Sequence, residues 1–151
     1  MSRVDALLAD YGSHHRTRGN LVCHVFGVTL IIYGLLALLG EVPLGIGGLT
    51  AAEALIGGAF LFYLTLHPAL AFGVLAATVL LDAAARAVGD WRVGVGAFVI
   101  GWIFQAVGHA RFEKNSPAFF RNLVHLLVGP MFLVNELLRI RRPMPAARAA
   151  E

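Results

Sequence analysis

The stretch Gly101-Trp-Ile-Phe-Gln-Ala-Val-Gly-His-Ala-Arg-Phe-Glu-Lys114 combines apolar residues with polar side chains that could do chemistry. It begins with residues apolar enough for a membrane helix. Gln105, His109 and Glu113 follow one another in it at steps of four residues. Four residues advance an α-helix by slightly more than one turn, so we expect the three side chains to share one face. An amide, an imidazole and a carboxylate are costly to bury without partners. The stretch therefore predicts a metal site or a buried proton-transfer site.

The composition is that of a membrane protein. The 151 residues are 58% hydrophobic and 14% charged, with a mean hydropathy of +0.75, whereas soluble domains carry about 25% charged residues. The net charge is +3, and the basic residues lie near the ends of apolar segments, which fits anionic lipid headgroups better than nucleic acid. Cys23 is the only cysteine, which excludes an intrachain disulfide and a cysteine-based zinc site.

We predict an all-α fold, a polytopic membrane bundle of four to five membrane helices plus a short interfacial helix at Val4–Tyr11. The chain is expected to form a single integral membrane domain over residues 1–151, with a polar head at 1–19, the helical bundle at 20–140 and a basic tail at 141–151. The predicted membrane segments are Leu21–Leu39, Ala51–Leu66, Ala69–Val88, Val93–Ala110 and Ala118–Ile140. The last of these is a poor simple span because it holds several polar residues, and two arrangements stay open for it: a break and return at Gly129-Pro130, or a position partly in the interface.

The arginines of the polar head predict the orientation. Arg3, Arg16 and Arg18 place the head in the cytoplasm by the positive-inside rule. Strict alternation then puts the polar elbow at 111–117 on the same side. The preference for Arg over Lys, with abundant Ala and Gly, hints at a bacterial genome rich in GC. We therefore expect an integral protein of the bacterial inner membrane with its site near the cytoplasmic face, and no feature of the sequence specifies the oligomeric state.

A second polar constellation, Tyr11-x3-His15-x4-Asn20-x3-His24, lies near the N-terminus. Asn20 and His24 share a helical face, but His15 and His24 are nine residues apart and would lie near opposite sides of one straight helix. We expect a break at Gly19, with Asn20 as the N-cap of the following helix. His15 could then fold back over the membrane end of His24, on the side of the membrane predicted for His109 and Glu113.

The residue types suit a metal centre. Neutral imidazoles with oxygen donors bind iron(II), zinc, manganese or copper. His15, His24 and His109 would hold the ion and leave positions open. The neighbouring polar groups would orient the imidazoles by hydrogen bonds, and Glu113 could also ligate directly, as in the histidine-plus-carboxylate sites of non-haem iron. These neighbours are Tyr11, Asn20, Gln105 and Glu113.

Other polar residues have simpler interpretations. Asn122 and His125 lie near one stripe of the last helix, where hydrogen bonding between membrane helices is the default and ligation by His125 is the alternative. Asp82 and Arg86 are four residues apart and are expected to pair. The glycines of Gly57-Gly58 and Gly94-x-Gly96 predict close helix packing rather than phosphate loops.

The two constellations together resemble the 2-hydroxy fatty acid dioxygenase family, small membrane proteins of fungi and bacteria. The matching elements cover both ends of the chain and are Tyr11-x3-His15-x4-Asn20-x3-His24-x2-Gly27, the stretch from Gly101 to Lys114 with Pro117-Ala118, Asn122-Leu-Val, and Pro130-x-Phe132-x3-Glu136. The motif histidines of the family correspond to His15, His24 and His109. His125 departs from the family pattern, which often has Gln at that position.

The resemblance implies an iron(II)-dependent dioxygenase that cleaves the C1–C2 bond of 2-hydroxy fatty acids in α-oxidation. Its cofactor would be Fe(2+), and its partners would be the 2-hydroxy fatty acid, molecular oxygen and membrane lipid. Glu113 is the candidate for proton transfer or ligand orientation, and Tyr11 for binding the substrate hydroxyl or carboxylate. Two alternatives stay open: a membrane haem protein with two of the histidines as axial ligands, and a metal or lipid carrier without oxygenase activity.

Overall fold

The computed structural model describes residues 2–113 and 124–140. Within these ranges every regular element is a helix, and there is no strand. The predicted all-α fold is therefore confirmed for this part of the chain. The elements in chain order are α1 (Arg3–Ser13), α2 (Arg18–Leu39), α3 (Ala51–Leu64), α4 (Pro68–Val88), α5 (Trp91–Val107), a π-helical segment (Gly108–Glu113) and α6 (Val124–Leu138).

Among the described residues, three helices are long and apolar enough to cross a membrane. They are Arg18–Leu39, Pro68–Val88 and Trp91–Glu113, the last of which combines α5 with the π-helical segment. The helices Ala51–Leu64 and Leu126–Leu138 are apolar but shorter, and a span of the hydrocarbon core needs about 20 residues. Membrane-crossing helices are thus present by length and composition, and the count of four to five spans stays a prediction.

The N-terminal helix packs against the last one. Ser2 and Asp5 form a capping box that starts α1, because each side chain satisfies a backbone N–H that would otherwise lack a partner. Val4 and Leu8 are buried in a cluster that includes Met131 and Phe132 of α6. This packing of α1 on α6 fixes the direction in which the chain leaves α1, immediately before His15.

Helices α2 and α5 cross in backbone contact through paired glycines. A Cβ on Gly101 would lie 2.7 Å from the carbonyl oxygen of Gly27, and a Cβ on Gly94 would lie 2.6 Å from the Cβ of Ala37. Small residues allow such close approach between membrane helices. The close packing predicted for Gly94 is confirmed, and the contact sets the distance between the polar groups that α2 and α5 carry.

The same prediction is wrong for three other glycines. A Cβ on Gly57, Gly58 or Gly96 would meet nothing within 4 Å, because these positions face away from the neighbouring helices among the described residues.

At the end of the bundle remote from the histidines, the predicted pair of Asp82 and Arg86 is confirmed. Arg86 Nε lies 2.7 Å from Asp82 Oδ2, and the guanidinium also pairs with Glu53 of α3.

Candidate metal centre

Three histidines from distant parts of the chain converge at one buried point. His15 lies in the turn after α1, His24 in the second turn of α2 and His109 in the π-helical segment. One ligand-capable nitrogen of each ring lies within 4.8 Å of the other two. All three residues are buried, with 9%, 3% and 3% of their surface exposed, so the point where they meet is shielded from bulk solvent.

Backbone hydrogen bonds fix the tautomers of two of these rings. His15 Nδ1 lies 2.7 Å from the carbonyl oxygen of Tyr11, and His24 Nδ1 lies 3.1 Å from that of Asn20. A carbonyl only accepts, so both Nδ1 atoms carry the hydrogen and both Nε2 atoms of the neutral rings present a lone pair. These Nε2 atoms face each other at 2.9 Å. Two lone pairs repel at this distance unless a cation lies beside both.

A metal ion fits this arrangement. His15 Nε2 and His24 Nε2 could both bind one cation, whose charge would remove the repulsion between their lone pairs. Burial lowers the pKa of His15 to about 4, so its ring is neutral near neutral pH, as a metal ligand must be. His109 offers a third nitrogen, because its buried Nδ1 has no hydrogen-bond partner among the described residues. The donor set suits a transition metal with open positions.

Tyr11 closes one side of the cluster. Its ring stacks on that of His15, with centroids 4.1 Å apart and planes 12° from parallel, and it touches Phe132 of α6 at a centroid distance of 5.0 Å. Burial raises the pKa of Tyr11, so the phenol keeps its proton. The same ring therefore holds His15 in place and offers a polar O–H at the site.

Glu113 binds the beginning of α2 rather than joining the histidine cluster. Its Oε1 accepts hydrogen bonds from the backbone N–H of Thr17 at 2.8 Å, from the Thr17 hydroxyl at 3.1 Å and from Asn20 Nδ2 at 3.2 Å. Among the described residues, the group of metal-ligating atoms that lie close together contains the three histidines and no carboxylate. Glu113 thus fixes the turn that carries His15 against the segment that carries His109.

A cavity of about 80 Å³ adjoins the histidines, which is room for roughly five water-sized groups. Its polar end consists of Tyr11, Gln105 and the three histidines. The remaining wall is apolar and is formed by Val28, Ile31, Ile32, Trp102, Leu126, Gly129 and Pro130. The cavity can therefore receive a small polar group next to the histidines and an apolar group behind it.

The comparisons with known proteins agree with the sequence motifs. A family model described as 2-hydroxy-palmitic acid dioxygenase Mpo1-like matches residues 1–141. The chain belongs to the Mpo1-like family. A Saccharomyces cerevisiae protein named 2-hydroxy-palmitic acid dioxygenase MPO1 is 35% identical over 147 residues, which cover 94% of this chain and 83% of that protein. No solved structure matches the chain. The family predicted from the motifs is confirmed.

Two local predictions about this Mpo1-like site are wrong. The N-cap of α2 is Thr17 and not Asn20, since the Thr17 hydroxyl accepts from the Asn20 backbone N–H at 3.3 Å. Asn20 instead lies in the first turn and gives its side-chain amide to Glu113. Gly19 is not the break either. It lies inside α2, where the ring of Phe112 occupies the space that a side chain would need.

The single face expected for Gln105, His109 and Glu113 is interrupted. Residues Gly108–Glu113 form a π-helical segment, in which hydrogen bonds close from i to i+5 and four residues fall short of a full turn. Gln105 and His109 line the cavity, whereas Glu113 reaches Thr17. π-Helical turns are frequent at functional sites of proteins, and this one separates two roles along one helix.

Thr17 and Trp102 also belong to the site, and neither is among the residues predicted from the sequence. Thr17 precedes an apolar run and is one of the preferred N-cap residues, so a signal for it was present. Trp102 lines the cavity but carries no sequence signal that separates it from a lipid-facing aromatic. Asn122 lies outside the described residues, as does the side chain of His125, so the predictions for both stay predictions.

Proposed function

We propose that this protein is an iron(II)-dependent dioxygenase that cleaves the C1–C2 bond of 2-hydroxy fatty acids. The observation that carries the proposal is the pair of Nε2 lone pairs of His15 and His24, 2.9 Å apart and buried beside His109. Membership of the Mpo1-like family and the name of the yeast relative support the substrate class. The apolar helices are consistent with a substrate drawn from the membrane.

The reaction balances without a further reductant. A 2-hydroxy acid and one O2 give the acid that is one carbon shorter, carbon dioxide and water, so no flavin or nicotinamide is required. His15, His24 and His109 would hold the metal. Bound iron(II) would supply the Lewis acid and the redox centre that reaction with oxygen requires.

The other residues of the site would bind the substrate and keep the ligands in position. Tyr11 retains its phenolic proton, because burial raises its pKa, and would donate it in a hydrogen bond to the substrate's 2-hydroxyl. Glu113 would act as a positioning residue. It holds Asn20 by the side chain, and the carbonyl oxygen of Asn20 accepts the hydrogen bond from His24 Nδ1. Such outer partners set ring orientation at metal sites.

A product assay tests the proposal. The purified protein is loaded with iron(II) without oxygen, then mixed with 2-hydroxypalmitate and oxygen. We expect one fatty acid shorter by one carbon and one carbon dioxide for each substrate consumed. Stoichiometric iron with no shortened product from any 2-hydroxy acid would refute the proposal and favour a metal or lipid carrier.

The geometry does not favour the haem alternative for the closest histidine pair. His15 Nε2 and His24 Nε2 are 2.9 Å apart, which leaves no room for a porphyrin between them. A Soret band in the purified protein would nonetheless restore that alternative.

A further inference from the structure

Gln105 carries a buried donor for which the described residues supply no acceptor. The Gln105 residue is 6% exposed, and its side-chain nitrogen Nε2 makes no hydrogen bond within the part of the chain that the structure describes. The imidazole N–H groups of His15 and His24 are satisfied by carbonyl oxygens of Tyr11 and Asn20, so Gln105 does not orient either ring through these groups. A buried amide without an acceptor destabilises a protein unless a ligand or water supplies the acceptor.

A glycine on the facing helix leaves space for this amide. A Cβ on Gly27 of α2 would lie 2.5 Å from Gln105 Nε2 and 2.9 Å from the carbonyl oxygen of Gly101. Gly27 thus serves the helix crossing and the placement of the amide at once. Gln105 also lines the cavity beside His15, His24 and His109, so a ligand group next to the histidines lies within the same enclosure.

The wall beyond Gln105 is apolar and extends along the helices away from the polar end. Val28, Ile31 and Ile32 of α2 and Trp102 of α5 form it, and all four are half-buried. Leu126 of α6, which also lines the cavity, is 47% exposed. One polar end and one apolar wall that reaches the outer surface of the bundle match an amphipathic ligand with a small polar head.

We propose that the Gln105 amide binds the carboxylate of a 2-hydroxy fatty acid and that the acyl chain lies against Val28, Ile31 and Trp102. This inference rests on the proposed function. A carboxylate can only accept hydrogen bonds when ionised, and the amide nitrogen can only donate them, so the two groups are complementary. The neutral amide binds the acid head without adding a charge to an apolar site, where an arginine or lysine would be costly.

Binding without turnover tests this assignment. Trp91→Phe leaves Trp102 as the only tryptophan, so its fluorescence reports occupation of the cavity. Metal-loaded protein is titrated anaerobically with 2-hydroxypalmitate and with 1,2-hexadecanediol, in which a hydroxymethyl group replaces the carboxylate. The variants are Gln105→Leu, which removes the donor, and Gln105→Glu, which nearly keeps the shape and opposes an anion. Ile103→Leu, an exposed position of the same helix, is the control.

We expect Gln105→Leu to weaken binding of the acid by about tenfold to a hundredfold, the range for a hydrogen bond to a charged group. Gln105→Glu should weaken it further and leave binding of the diol within a factor of about two. Metal content should match that of Ile103→Leu in both variants. If Gln105→Leu does not fold, the contrast between acid and diol in Gln105→Glu decides the question.

The outcomes separate this inference from the proposed function. Equal loss of acid and diol binding, or unchanged acid binding in the folded variants, would overturn the carboxylate assignment. If the wild-type protein forms the shortened product but acid binding does not depend on Gln105, the carboxylate assignment is wrong and the dioxygenase proposal stands. If the protein binds the acid through Gln105 but yields no shortened product, the dioxygenase proposal is wrong and the carboxylate assignment stands.

Discussion

His15 Nε2 and His24 Nε2 face each other at 2.9 Å, and the Nδ1–H of each ring is already used by a backbone carbonyl. The two residues are nine positions apart in the sequence. They meet because α1 ends at Ser13 and α2 begins at Arg18. His15 therefore lies in the turn between the two helices, where the chain can bring its ring to the side of α2 that carries His24. The backbone carbonyls of Tyr11 and Asn20 thus hold both rings as lone-pair donors, which lowers the reorganisation that metal binding requires.

Metal binding should therefore stabilise the protein through these rings. At a free iron(II) or zinc concentration of about 100 times Kd, linkage adds about 2.7 kcal/mol to the stability of the folded state. We expect chelation to lower the Tm of the wild-type protein and His15→Ala to abolish this dependence. Thermal unfolding in detergent, with metal content measured in the same samples, checks both results.

The adjacent histidine is the matched control for this test. His14 is half-buried, and its Nδ1 lies 3.0 Å from the carbonyl oxygen of Asp10, so its ring stands outside the histidine cluster. His14→Ala should retain the metal and its stabilising effect. Equal metal loss in His14→Ala and His15→Ala would contradict the assignment of the ligands.

Glu113 should act by position and not by proton transfer. Its Oε1 accepts from Thr17 and Asn20, and Glu113→Gln keeps an oxygen that can accept from the same donors. We expect Glu113→Ala to lower metal affinity by about 10- to 100-fold, as loss of an outer partner does, and Glu113→Gln to restore most of it. Full metal binding in Glu113→Gln with kcat lowered more than about a hundredfold would instead indicate proton transfer.

Much of the fold follows from the sequence because apolar runs, proline and glycine act locally. The five predicted apolar segments coincide with α2 to α6, within the described residues, and the histidines were expected at one end of the bundle. Thr17 and Asn20 are both good N-caps, so residue type alone does not decide which of them begins α2. Glu113, 96 residues from Thr17 and 93 from Asn20, occupies donors of both, and periodicity cannot reveal such a contact.

The π-helical segment could not be predicted for a similar reason. A change from i→i+4 to i→i+5 hydrogen bonding alters no residue type, so the four-residue spacing of His109 and Glu113 looks α-helical. The packing of the Phe112 ring over Gly19 and the bonds of Glu113 to Thr17 accompany the wider turn. Both are tertiary contacts, which override local preference.

The N-cap gives a prediction that is independent of any metal. Thr17→Ala removes the hydroxyl that accepts from the Asn20 N–H and donates to Glu113, so we expect a loss of about 1–2 kcal/mol in the free energy of unfolding. Thr17→Ser keeps the hydroxyl and should stay within about 0.5 kcal/mol. Thr29→Ala is the control, since that hydroxyl donates to the carbonyl oxygen of Val25 in the same helix and is exposed. Equal effects at Thr17 and Thr29 would argue against the cap.

The glycines of α5 give the sharpest paired test of the helix crossing. Gly101→Ala would place a Cβ 2.7 Å from the carbonyl oxygen of Gly27 and 2.9 Å from the backbone nitrogen of Ile31. Backbone atoms cannot rotate away, so α2 and α5 must separate, which we expect to cost about 1–3 kcal/mol. Gly96→Ala meets nothing within 4 Å and should stabilise the helix by about 0.5–1 kcal/mol. Because the same crossing sets the distance between His24 and His109, Gly101→Ala should also weaken metal binding while Gly96→Ala leaves it unchanged. If the two variants change the free energy of unfolding in the same direction, or weaken metal binding equally, this account of the crossing is contradicted.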